Sequence, residues 1–61
     1  MSYIRVLSAL MVLGPSTAEE LSNWTDLPLK TVKNALRYWR QKGEVRKRED
    51  GRWELVGPCL G

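Results

Sequence analysis

Residues 17–43 read TAEELSNWTDLPLKTVKNALRYWRQKG. Two helices and the turn between them are legible in this stretch. Thr17 followed three residues later by Glu20 makes a capping box, in which each side chain satisfies a free backbone N–H of the other. Glu19 and Glu20 suit the positive end of a helix dipole. A short helix is therefore predicted over about 18–23, with Ala18 and Leu21 turned inward and Trp24 either in the core or half-exposed. Thr25-Asp26 forms a turn and Leu27 packs. Pro28 opens the next helix, at the position where its missing N–H costs nothing. Val32, Ala35, Leu36 and Trp39 then recur at i, i+3, i+4 and i+7, one face of a helix over about 28–42. The opposite face carries Lys30, Asn34, Arg37 and Gln41, flanked by Lys33 and Tyr38, and Gly43 stops the helix.

Upstream, residues 2–13 are good helix formers that end at Gly14-Pro15. Ile4, Leu7, Leu10 and Met11 repeat at helical spacing. Tyr3, Val6 and Leu13 widen the apolar arc beyond one face, so part of this helix is expected to pack on a second protomer. The apolar run is short of the roughly 20 residues a membrane span needs. Its removal as a signal peptide would leave about 43 residues, near the lower limit for an independent fold, so it is read as a core helix.

Downstream, the period changes to two. Residues 44–48 and 52–56 alternate around Glu49-Asp50-Gly51, which predicts a hairpin over about 44–56. A three-residue loop with Gly51 in the left-handed conformation places Val45, Trp53 and Leu55 on one face. The other face is then Arg46, Arg48, Arg52 and Glu54. The tail, residues 57–61, is expected to be irregular. Helix, short helix, turn, helix and hairpin in this order describe one winged helix-turn-helix domain over 1–61, mainly α with a small β-hairpin.

Charge says what such a domain meets. Nine of the ten basic residues lie between Lys30 and Arg52, against Glu44, Glu49 and Asp50, a local net of +6 within a chain of +3. That footprint suits a polyanion. A helix fits the major groove of B-form DNA, and Arg, Lys, Asn and the Thr methyl match base edges there. Lys30, Thr31, Lys33, Asn34, Arg37, Tyr38 and Gln41 are the candidate contacts on the third helix. Arg46, Arg48 and Arg52 on the wing's outer face, read as wholly basic, are expected to grip phosphate. Thr17 and the free N–H groups of the short helix offer another phosphate site. The chain has no histidine and one cysteine, Cys59, so it has neither a Cys/His zinc site nor a histidine-based triad. No cofactor, small-molecule ligand or enzymatic constellation is evident, and a lone cysteine points to no oxidising compartment, so a cytoplasmic protein is expected.

Thr17-Ala18-Glu19-Glu20-Leu21, followed by Leu27-Pro28-Leu29-Lys30-Thr31-Val32, resembles the helix-turn-helix of many bacterial transcription regulators. With Leu36 and Trp39 before Gly43, and Gly51-Arg52-Trp53-Glu54-Leu55, the chain is similar over most of residues 3–58 to the DNA-binding domain of IclR-type regulators. The resemblance implies sequence-specific binding of double-stranded DNA and a role in transcription regulation. That family also has a large ligand-binding domain. These 61 residues lack it, so effector sensing is not carried over and an isolated DNA-binding domain or a minimal regulator of plasmid or phage type is expected. Asn34 and Tyr38 with Trp53 also resemble residues of Z-DNA-binding Zα domains, but they are shifted one place relative to Gly43 and the wing prolines of those domains are absent. The competing expectation is an adaptor: a winged helix used for protein–protein contact, favoured by the broad apolar surface of the first helix.

Overall fold

Three helices and one hairpin arise from the capping and apolar signals along the chain, and a computed structural model describes them over residues 3–56. Helix α1 is Tyr3–Leu13, α2 is Ala18–Thr25 and α3 is Leu29–Lys42; strands β1, Val45–Lys47, and β2, Trp53–Leu55, pair antiparallel. The fold is mainly helical with a two-stranded hairpin, the layout of a winged helix. The expectations for Ser2 and for residues 57–61, Cys59 among them, lie outside the described residues.

The core is built where the three helices converge. Val6, Ala9 and Leu10 of α1, Ala18 and Leu21 of α2, and Val32, Ala35 and Leu36 of α3 are buried together with Val45 of the wing. Trp39, half-buried, closes one side and donates its indole N–H to the Tyr3 carbonyl at 2.8 Å. The apolar phase of α3 is as expected. That of α1 is so only in part: Leu7 and Leu10 face inward as expected, but Ile4 and Met11 are 53% and 70% exposed, and Tyr3, Val6 and Ala9 complete the inward face. Arg5 and Ser8, three residues apart, are both exposed and mark the solvent side, but so narrow a polar stripe leaves packing to decide which apolar residues flank it.

Both caps of α2 follow from side-chain chemistry. Thr17 Oγ1 accepts the Glu20 N–H at 3.1 Å and Glu20 Oε1 accepts the Thr17 N–H at 2.9 Å, completing the capping box. The helix runs two residues past its expected end. Thr25 is buried and donates its hydroxyl to the Leu21 carbonyl at 2.7 Å, which holds it in the helix. Asp26 takes the left-handed conformation, with φ 62°, and caps the helix, since aspartate tolerates that geometry better than most residues. Ala18, Leu21 and Thr25 turn inward, which leaves Trp24 off that stripe and 52% exposed. Pro28 is the N-cap of α3 and not its first helical residue. Its ψ of 145° is extended, while its carbonyl already accepts the Val32 N–H at 3.0 Å.

Gly43, with φ 81°, ends α3 and redirects the chain into β1. The hairpin register pairs Val45 with Leu55, Arg46 with Glu54 and Lys47 with Trp53. Gly51, with φ 90°, closes the three-residue loop, as the apolar alternation requires. The wing does not hang free. Ser16, between α1 and α2, exchanges two backbone hydrogen bonds with Trp53, at 3.0 and 2.7 Å. This third edge fixes the wing against the helical body and sets its distance from α3.

Candidate nucleic-acid interface

The side of α3 away from the core carries the row expected of it. With Val32, Ala35 and Leu36 buried, Lys30, Asn34, Arg37 and Gln41 project outward and all four are exposed. Thr31 is half-buried at the edge of this row. Tyr38 is on the flank beside α1, where its ring lies 5.3 Å from that of Tyr3 and 5.0 Å from that of Trp39, with Lys42 Nζ 5.4 Å from its centroid. It is thus held by aromatic packing while remaining 41% exposed.

On the other flank, α3, the start of α2 and the wing enclose a groove. Leu36, Ala18 and Trp53 form its apolar floor, and Lys33, Arg37, Arg40 and Lys47 surround it. Lys33, Arg37 and Arg40 recur at i, i+4 and i+7 on α3. Lys47 joins them because its register opposite Trp53 places it on the inner face of the wing, with Nζ 5.8 Å from the Trp53 ring. Glu19 is the one acid lining the groove. Among the described residues, none of these four cations has a carboxylate oxygen within 4.0 Å. Sequence reasoning missed Arg40 and Lys47. The signal for both was present: Arg40 extends the Lys33–Arg37 stripe by one turn, and the alternation that sends Val45 inward sends Lys47 the same way.

The outer face of the wing differs from the expectation. It is not wholly basic, because its arginines are already paired. Arg46 Nε donates to Glu54 Oε2 at 2.7 Å, and Arg48 Nη1 approaches Glu54 Oε1 at 3.4 Å and Asp50 through Nε at 3.6 Å. Arg52 Nη1 reaches Glu20 Oε1 at 3.3 Å and the Pro15 carbonyl at 3.4 Å, with Asp50 at 3.9 Å. Exposed pairs of this kind are weak and salt-sensitive, so a phosphate can displace the carboxylate. The exchange releases less than occupying an unpaired cation. Thr17, expected to hold a phosphate, spends its oxygen as the acceptor in the capping box; its hydroxyl proton remains available. Glu20 places a negative charge at the same helix end, offset in part by Arg52.

The hydrogen bond from Arg46 holds the Glu54 carboxyl below its usual value of 4.5; burial opposes this, and the charges of Arg46 and Arg48 reinforce it. A carboxylate whose pKa is lowered on folding adds stability above the unfolded value and loses it as pH falls through the folded one. Carboxyl NMR is therefore expected to show Glu54 titrating below 4.5, and Arg46→Gln to return it toward that value. Glu54→Gln raises the net charge from +3 to +4 and frees Arg46 and Arg48. It is expected to tighten binding to generic duplex DNA severalfold and to steepen its salt dependence. Weaker binding by this variant in anisotropy titrations would exclude the wing's outer face as a source of phosphate contacts.

Among the described residues, no group of three His, Cys, Asp or Glu side chains is placed to hold a metal ion, and no helix is long and apolar enough to cross a membrane. No protein-family model, curated protein or solved structure matches the chain.

Proposed function

We propose that this domain binds double-stranded DNA sequence-specifically, as a small cytoplasmic transcription regulator of prokaryotic, plasmid or phage type. The observation that carries this reading is the set of four cations, Lys33, Arg37, Arg40 and Lys47, unpaired among the described residues and gathered around one groove between α3 and the wing. An α-helix about 10–12 Å across fits a major groove about 12 Å wide. With α3 seated there, Asn34 is suited to the adenine edge and Lys30 and Arg37 to guanine, while the Thr31 methyl suits thymine. Lys33, Arg40 and Lys47 neutralise the phosphates bordering that groove, which adds affinity without sequence information. The outer arginines of the wing contribute by exchanging their carboxylate partners for phosphate.

Selection of bound sites from a random duplex library tests the reading directly. A recurring site is expected. On that site Asn34→Ala should cost about 1–3 kcal/mol relative to random DNA. Lys47→Ala should weaken both about equally. Recovery of no preferred sequence would remove base readout and leave only charge-driven binding. The second reading, an adaptor that binds protein, is favoured by the exposed apolar face of α1. Titration with generic duplex DNA at low salt separates the two, since an adaptor without a nucleic-acid role gives no binding at any salt concentration.

A further inference from the structure

We infer that the outer face of α1, with Trp24 of α2 beside it, pairs two copies of this chain. Ile4, Met11 and Val12 are 53%, 70% and 67% exposed on the side of α1 turned away from the core, and Trp24 is 52% exposed. Ile4, Arg5, Ser8, Trp24 and Thr25 line one hollow, which joins the outer face of α1 to Trp24 of α2 with Arg5 as its one charged group.

Area and charge both select a second copy as the occupant. At these exposures the four side chains present on the order of 450 Å² of apolar surface. A standard interface takes about 800 Å² from each partner, and in homodimers about 65% of it is apolar, which is on the order of 500 Å². The patch supplies nearly all of that. Two copies of a +3 chain repel, and nine of the ten cations lie between Lys30 and Arg52, whereas α1 carries Arg5 alone. The face of α1 is therefore where like-charged copies meet at least electrostatic cost. A closed pair uses the same patch on both subunits. A two-fold axis across α1 makes the two helices antiparallel. Ser8 lies midway between Ile4 and Val12, each four residues or about 6 Å along the helix from it. Crossing at this small residue lets the helices approach and sets Ile4 opposite Val12 of the partner subunit. Pairing through this patch does not depend on DNA binding, and the patch includes none of the groove cations.

Sedimentation equilibrium without DNA is the first test. The apparent mass is expected to rise from 7.0 kDa toward twice that value with increasing concentration. Met11→Glu should hold it at the monomer value with an unchanged circular dichroism spectrum, because residue 11 makes little use of the core. In a Cys59→Ser background, Ser8→Cys should form a disulfide-linked dimer on mild oxidation, and Glu49→Cys at the wing tip should not. A monomer at all concentrations up to about 1 mM, a concentration that drives even weak pairs together, overturns the inference and leaves the patch to a different protein. Association unaffected by Met11→Glu overturns it as well. Cross-linking through Glu49→Cys but not Ser8→Cys moves the contact to the wing.

Discussion

Neutralising two groove cations together, as Arg37→Gln with Arg40→Gln, is expected to lower affinity for duplex DNA about a hundredfold at roughly 0.1 M salt. On random duplex, where Arg37 has no guanine to read, both cations neutralise phosphate; each such contact releases close to one counterion and is worth about a factor of ten at that salt relative to 1 M. The slope of log affinity against log salt should also flatten by about 1.8 for the pair. Where Arg37 bonds a guanine in a preferred site, its replacement weakens binding to that site further. The parallel double variant Arg46→Gln with Arg48→Gln removes the same formal charge. It should cost only severalfold, because those guanidinium groups already face Glu54 and Asp50 in the free protein. Anisotropy titrations of both variants between about 50 and 200 mM salt, the range over which phosphate contacts of this kind are resolved, decide the matter. Equal losses from the two pairs would place the phosphate contacts on the outer wing as much as in the groove.

That contrast also marks how far the sequence carried the reading. Local chemistry was legible. The Thr17–Glu20 capping box, the stop at Gly43, the inward face of α3 and the hairpin register closed by Gly51 all depend on residues within a few positions of one another. Three features depended on partners distant in the chain. The rotation of α1 was ambiguous because only Arg5 and Ser8 interrupt its apolar surface, and its inward face is set by packing on α3, including the Trp39 bond to Tyr3 36 residues away. The pairing of Arg52 with Glu20 spans 32 residues and links wing to α2, which no local pattern encodes. The groove itself exists because Ser16 bonds Trp53 and so fixes the wing against the body. Lys47 is intermediate: its inward direction was implicit in the alternation of the strand, but its neighbours on α3 were not. Charge clustering pointed to a polyanion without separating paired cations from unpaired ones, and that separation now distinguishes the groove from the outer wing.

Leu36→Ala is expected to unfold a large fraction of the molecule. Leu36 is fully buried at the junction of all three helices and also floors the groove. Truncating a leucine at such a position costs about 2–5 kcal/mol, from the burial forgone and the cavity left behind. A domain of 61 residues holds about 3–9 kcal/mol in total, at roughly 0.05–0.15 kcal/mol per residue. The loss is comparable to the whole, and it should appear in thermal circular dichroism as a fall in Tm of about 10–30 °C, or as no cooperative transition at all. Ile4→Ala, at a position 53% exposed, should move the transition of the monomer by less than about 0.5 kcal/mol. The two variants remove hydrophobic side chains of equal size from helices that the amino-acid pattern alone treats alike. Their difference therefore measures the rotation of α1 and the position of the core directly. Similar losses from both would mean that Ile4 is packed inside the domain, and the apolar face offered to a second copy would not exist.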